Sequence, residues 1–264
     1  MNWHAPIGAK IIELVNIQPT HSILDIGTGL GEPGQTAAAI ATNGKVVGID
    51  IAQVMVDGAN ESAATGGLNN YSAQLYDGKK FPFEDNTFDA AISRNGVIFF
   101  PDMNEGIKEV LRVLKPGGRA AFSGWGPVEN NDSSVVLRKI VTEILNQEPV
   151  AVGSPGPFRF AAKGSLELAM KEAGFNDVRE IDIAGTVKFD SFEHYWNFIS
   201  ETQIPIVEEL EKSPGIASNI KSAIDELARL YVVNNTLLFK WHAVIGYGQT
   251  RGQMLFLWDN IRRS

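Results

Sequence analysis

The sequence predicts an α/β fold, a seven-stranded and mostly parallel sheet with helices on both faces and a helical cap. Three observations predict it. From residue 22 onward short apolar runs alternate with helix-period patterns, as strand-helix-strand units require. The first of those runs leads straight into a glycine-rich turn. Two late stretches break the alternation with helical segments of their own.

Ser22 to Ile26 reads as a first buried strand, and the alanine-rich stretch Pro33 to Thr42 as the helix after it. Lys45 to Asp50 is the second strand and Ala52 to Thr65 its helix; Tyr71 to Tyr76 and Phe88 to Arg94 are the third and fourth strands. Ile107, Val110, Leu111 and Leu114 fall at i, i+3, i+4 and i+7, one apolar stripe of a helix that Lys115-Pro-Gly-Gly118 ends. Arg119 to Ser123 is the fifth strand. Ser165 to Ala173 is a helix capped by Ser165 and stopped by Gly174, and Val178 to Ala184 and Leu237 to Tyr247 are the last two strands. Residues 127–164 carry Leu137, Ile140, Val141 and Ile144 on one helix face, then the loop Gly153 to Pro157. Residues 190–236 carry two or three helical segments broken at Ser213-Pro-Gly215. Placed after late strands, both insertions are expected to cap the carboxyl ends of one domain spanning residues 1–264.

With 264 residues, 44% of them hydrophobic and 20% charged, the chain is long enough for one sizeable core. Its net charge of -8, with no Lys/Arg cluster longer than a pair, argues against a nucleic-acid or anionic-membrane partner. The absence of cysteine excludes disulfides, thiolate metal sites and thiol nucleophiles. Met1 to Gly8 lacks the basic and apolar regions of a signal peptide, and no apolar run approaches the ~20 residues that span a bilayer. A cytosolic protein with no membrane span is expected. No His/Asp/Glu cluster has the spacing of a metal site, so no metal is expected.

The chemistry centres on Gly27-Thr-Gly-Leu-Gly-Glu-Pro-Gly34, the turn after the first strand. Glycines there let a ligand approach the backbone at the carboxyl end of a sheet. A bare tight turn needs fewer of them. A nucleoside triphosphate would want Gly-Lys-Ser/Thr, and the loop has no lysine. A dinucleotide would want glycine where Glu32 stands, at the helix N-terminus that receives a pyrophosphate. Glu32 and Pro33 instead suit the start of a helix with no anion bound. S-adenosylmethionine carries no phosphate, and Asp25 can accept from its ammonium group.

These residues resemble the class I S-adenosylmethionine-dependent methyltransferases, over Ser22 to about Asp182. The resemblance rests on Asp25-x-Gly27-x-Gly29-x-Gly31, an acid ending the second strand, an acid after the third, and Leu114-Lys-Pro-Gly-Gly118. Phe81-Pro-Phe-Glu-Asp-Asn-Thr-Phe-Asp89 with Arg112-Val-Leu-Lys-Pro-Gly-Gly118 is most similar to the ubiquinone/menaquinone-biosynthesis methyltransferases, although residues 190–236 depart from that pattern. The resemblance implies a Rossmann-like fold and S-adenosyl-L-methionine as cofactor, bound by Asp25, Gly27, Thr28 and Gly29.

Asp50 is then the acid for both ribose hydroxyls, a role it would also play toward a nicotinamide nucleotide; a strand-end helix cap is its bland reading. The resemblance gives Ile51 the adenine face, which core packing would explain equally. It gives Asp77, with Gly78, the adenine amino group, where a plain Asp-Gly turn is the alternative. At Ser93 and Arg94 a backbone carbonyl would meet the methionine amino group, and Arg94 would pair with the carboxylate unless it is a surface ion pair.

Methyl transfer is an in-line displacement for which alignment and water exclusion supply most of the acceleration, so no catalytic residue can be assigned. His4 and His194 are the histidines open to a base role, while His21 reads as solvated and His242 as packed. Phe99, Phe100, Tyr195 and Trp196 are candidates for an apolar acceptor pocket, although aromatics on cap helices are more often core. The expected activity is transfer of a methyl group to carbon or oxygen of a small lipophilic or aromatic molecule. The alternatives are a nicotinamide-dependent oxidoreductase and a non-catalytic cofactor-binding protein.

Overall fold

A computed structural model describes residues 4–143, 148, 151–202 and 214–252. The described α-helices are α1 (Ala5–Val15), α2 (Gly34–Ile40), α3 (Gln53–Thr65), α4 (Met103–Val113), α5 (Asp132–Glu143), α6 (Ser165–Ala173), α7 (Phe192–Thr202) and α8 (Pro214–Ala228). The strands are β1 (Ser22–Ile26), β2 (Lys45–Asp50), β3 (Tyr71–Leu75), β4 (Phe88–Arg94), β5 (Leu114–Trp125), β6 (Asn176–Phe189), β7 (Val232–Val233) and β8 (Thr236–Gln249). They form one sheet in the order β3-β2-β1-β4-β5-β8-β6, with β7 paired to β8. β3, β2, β1, β4 and β5 run parallel, and β8 runs antiparallel to both β5 and β6. The sheet therefore has eight strands rather than seven, the addition being the two-residue β7.

Neighbouring residues of the central strands feed opposite faces. Ile23, Ala90 and Ala121 pack with α1, α2 and α3 on one side, while Leu24, Ala91 and Phe122 pack with α4 and α6 on the other. Strands covered on both faces read as unbroken apolar runs. β6 and β8 outrun the rest: β5 pairs with β8 only as far as Trp125↔Ala243, whereas β6 and β8 stay paired to Phe189↔Leu237. Buried residues of α5, α7 and α8 pack on that overhang, at the carboxyl end of the parallel strands. Ile144, Ser213 and the side chain of Val141, which entered the expected cap helices and their break, lie outside the described residues.

Three local details differ from expectation. Ile7, Ile11, Ile12 and Val15 of α1 are buried, a helix that spacing alone allowed. Pro33 precedes α2 as its cap residue rather than opening the helix. Gly164, not Ser165, caps α6 and makes no side-chain bond. The α6 amides donate instead to the Glu180 carboxylate of β6, from Gly164 at 2.7 Å, Leu166 at 3.1 Å and Glu167 at 3.2 Å.

Candidate functional site

The turn after β1 and the turn after β4 touch. Gly27 has φ 65, and a Cβ there would stand 2.6 Å from Gly96 Cα; one on Gly96 would stand 2.3 Å from the Ile26 carbonyl oxygen. Only glycine at both places permits this approach. The Ser93 hydroxyl fastens the junction, donating to the Ile26 carbonyl at 2.7 Å and accepting from the Gly96 and Val97 amides at 3.1 Å each.

The glycine loop spends its amides inside the protein. Gly27 and Thr28 donate to the Ile49 carbonyl at 2.9 and 3.1 Å, and Gly31 to the Thr28 carbonyl at 2.9 Å. Gly29 donates to Asp50 Oδ2 at 2.9 Å and Gly34 to Asp25 Oδ2 at 3.0 Å. A phosphate site needs such amides free. The Glu32 carboxylate, meanwhile, accepts from the Thr36 hydroxyl at 2.7 Å.

Asp25 lies fully buried beneath this loop. Its Oδ2 also accepts from the Thr28 hydroxyl at 2.7 Å, and that hydroxyl shares a 2.8 Å bond with Tyr71. Oδ1 has no partner among the described residues. Burial pushes the Asp25 carboxyl up to about 7, against the opposing pull of Thr28, Gly34 and the Arg94 guanidinium. Arg94 is partly buried, which lowers its affinity for a proton, while the charges of Asp25 and Glu32 raise it. Among the described residues no carboxylate lies within ion-pair distance of it.

Beside the loop opens a cleft of about 340 Å³. One wall comes from Asp50, Ile51, Ala52, Met55, Tyr76 and Gly78, the other from Asn95, Gly96, Phe99, Phe100 and Pro101, with Gly27 and Gly29 at its base. Asp50 is the only charged residue among those lining it. Its Oδ1 accepts from the Ala52 amide at 3.0 Å, so the cap reading is realised, yet each carboxylate oxygen keeps lone pairs for a ligand. Ile51 is 67% exposed and so is not core.

The other expected residues divide. Asp77 is exposed beside the lining residues Tyr76 and Gly78, and accepts from the Lys79 amide at 3.0 Å. Thr28 and Ser93 face inward, behind the cleft. Phe99 and Phe100 line the cleft on the same wall as Asn95 and Gly96. Tyr195 is fully buried against Phe189 and Phe239, with its hydroxyl 2.8 Å from that of Ser133. It is core, and burial pushes its phenol up. Trp196 lies under the Lys221 ammonium, 5.0 Å away, and neither residue lines the cleft.

Of the histidines, His4 sits 5.6 Å from the Trp125 ring and is pushed down to about 4 by burial and by Arg94. His194 packs on Phe189, His242 pairs with Asp182 at 3.0 Å, and His21 accepts from the Gln18 amide. Met55, Tyr76, Asn95, Gly96 and Pro101 were not singled out by sequence.

The fold is a doubly wound sheet with a cleft beside its glycine turn, and Asp50 is the one charged residue lining that cleft. The family model described as a methyltransferase domain matches residues 23–118. Nocamycin O-methyltransferase of Saccharothrix syringae is 32% identical over 191 residues, covering 69% of this chain and 68% of that protein. Sterol 24-C-methyltransferase of Schizosaccharomyces pombe is 29% identical over 64% of this chain, which spans only 43% of that relative. The phosphoethanolamine N-methyltransferase 2 of Haemonchus contortus, solved with S-adenosylhomocysteine, shares the fold at a TM-score of 0.58 and 18% identity, over 96% of this chain and 54% of its own. The chain belongs to the S-adenosylmethionine-dependent methyltransferases, and S-adenosylmethionine is its cofactor.

The residues present fit that cofactor: Asp50 beside exposed Ile51, the Asp25 Oδ1 and Arg94 guanidinium without a hydrogen-bond or ion-pair partner respectively among the described residues, and no cation among the residues lining the cleft. A nicotinamide dinucleotide would find the amides of Gly27, Thr28, Gly29, Gly31 and Gly34 already committed. Among the described residues no helix is long and apolar enough to cross a membrane.

Proposed function

We propose that this methyltransferase acts on carbon or oxygen of a small lipophilic or aromatic molecule. The observation that carries the proposal is the cleft, where Asp50 alone is charged among the lining residues and apolar Met55, Phe100 and Pro101 remain beyond Ile51 and Phe99. Curated relatives named for O-methylation of nocamycin and C-methylation of sterols support it. So does the likeness of Phe81–Asp89 and Arg112–Gly118 to the quinone-biosynthesis methyltransferases, whose acceptors are lipophilic rings.

Bound S-adenosylmethionine supplies a methyl group on a sulfonium. In our reading Asp50 accepts from the ribose hydroxyls, while Ile51 and Phe99 hold the adenine and Asp77 takes its amino group. Asp25 faces the ammonium and Arg94 the carboxylate. Gly27 and Gly29 allow close approach. No general base is assigned in this reading: His4, beside Trp125, is neutral, but burial lowers its proton affinity and it does not line the cleft. The same reading takes the chain as a single cytosolic methyltransferase domain whose α5, α7 and α8 form the cap.

Calorimetry with S-adenosylmethionine, S-adenosylhomocysteine and NAD tests the site. Asp50→Ala should weaken the adenosyl ligands about 10- to 100-fold, the value of one charge-assisted acceptor. Deuteromethyl transfer followed by mass spectrometry over phenols, alcohols, alkenes and amines then tests the acceptor. Binding of NAD alone, or methylation of polar amines only, would sink the proposal.

A further inference from the structure

Phe99 is 56% exposed although its neighbours Ile98 and Phe100 are buried. Apolar burial favours tucking such a ring away, so something holds it out on the cleft wall. The turn itself is one short 3-10 helix, Val97–Phe99, closed by amides of Phe99 and Phe100 donating to Gly96 and Val97. A single such turn is weak.

The missing restraint comes from the segment between α5 and α6. Arg159 donates through Nη1 to the Phe100 carbonyl in a short contact and to the Ile98 carbonyl at 3.4 Å, one on each side of Phe99. The Gly156 amide donates to the same Ile98 carbonyl at 3.1 Å. Phe160 seats the segment: it is buried, and a Cβ on Gly124 would come within 2.8 Å of its ring. Partial burial lowers the proton affinity of Arg159, with Asp102 opposing, and among the described residues no carboxylate lies within ion-pair distance of it. A partly desolvated guanidinium is thus committed, through its one nitrogen Nη1, to two carbonyls of one turn.

We propose that Arg159 is a positioning residue for the cofactor, clamping the carbonyls that flank Phe99 so that this ring stands against the adenosyl end of the cleft. Cofactor affinity is then tied to the seating of the segment around residues 153–161. The inference rests on the assignment of the cleft to S-adenosylmethionine.

The test is calorimetric affinity for S-adenosylhomocysteine, with thermal midpoints, on wild type, Arg159→Ala, Arg159→Lys, Phe99→Ala and the double variant Arg159→Ala/Phe99→Ala. Glu180→Ala, which uncaps α6 and touches neither a residue lining the cleft nor Arg159, is the stability control. Arg159→Ala and Phe99→Ala should each weaken binding about tenfold, with Arg159→Lys between wild type and alanine. The double variant should bind no worse than Phe99→Ala, because the arginine acts through the ring. Glu180→Ala should lower the midpoint and leave affinity unchanged. Wild-type affinity in Arg159→Ala, a further loss in the Phe99→Ala background, or an equal loss in Glu180→Ala overturns the clamp. If Arg159→Ala does not fold, Arg159→Lys and its combination with Phe99→Ala carry the same comparison. Wild type that binds no S-adenosylhomocysteine overturns the cleft assignment and the clamp with it.

Discussion

Asp25→Asn should reverse the order of stability between acid and alkaline pH. In the folded chain the Asp25 carboxyl is pushed from 3.8 to about 7, chiefly by burial. The folded state therefore holds the proton more tightly than the unfolded chain. Stability falls as pH rises from about 4 to about 7, and the full cost is present above that; at about 1.36 kcal/mol per pH unit it amounts to about 4 kcal/mol at most. Arg94, Glu32 and, through Thr28, Tyr71 are the charged or titratable groups that face it. Asparagine cannot ionise and keeps an acceptor for Thr28 and Gly34, but places a buried donor where Oδ1 has no partner, a cost of about 1–3 kcal/mol. The variant should thus melt below wild type at pH 4 and level with or above it at pH 8.5, with about 2–4 °C for each kcal/mol. The ammonium of S-adenosylhomocysteine favours ionised Asp25, so wild-type affinity should also climb from pH 5.5 to 7 and flatten beyond, while the variant stays level. Midpoint curves that run parallel from pH 4 to 8.5 refute the reasoning.

Two further predictions concern the scaffold. Arg112 bonds Glu109, Asp85 and the carbonyls of Phe81 and Phe83, so Arg112→Ala should cost about 2–3 kcal/mol in denaturant unfolding and loosen residues 81–85 to hydrogen exchange. Glu180→Ala removes the acceptor for three α6 amides and should cost about 1–2 kcal/mol, read as a lower thermal midpoint.

What sequence revealed depended on how local the cause was. β1, β2 and β4 matched their expected bounds because buried runs end where polar residues begin. β6 runs past the expected Val178–Ala184 through Gly185 to Phe189, where buried and exposed residues alternate, and β8 exceeds the expected Leu237–Tyr247 only by Thr236, Gly248 and Gln249. The α6 cap was misread because its true acceptor is fifteen positions away in sequence on another strand, where spacing carries no signal. Asp50 and Ile51 were legible from their place after a strand. Tyr195 was not: Tyr195 and Ile199 form the buried stripe of α7, and only the packed structure shows which way that stripe turns. Arg112 explains why the strings around Phe81 and Arg112 occur together, since the guanidinium of the second holds the carbonyls of the first.

The ligand preference of the glycine loop follows from where its amides point. A loop that binds phosphate leaves them open toward the ligand. Here Ile49, Thr28, Asp50 and Asp25 take them from within. The negative charge of Asp25 and Asp50 therefore lies beneath and beside the loop, and repels an anion while favouring a cation. Glu32, the residue that in sequence reads as shutting out a pyrophosphate, accepts from Thr36 on the first turn of α2 and keeps its negative charge beside that helix N-terminus. The exclusion of phosphate thus has two sources, the committed amides of Gly27, Thr28, Gly29, Gly31 and Gly34 and the Glu32 carboxylate.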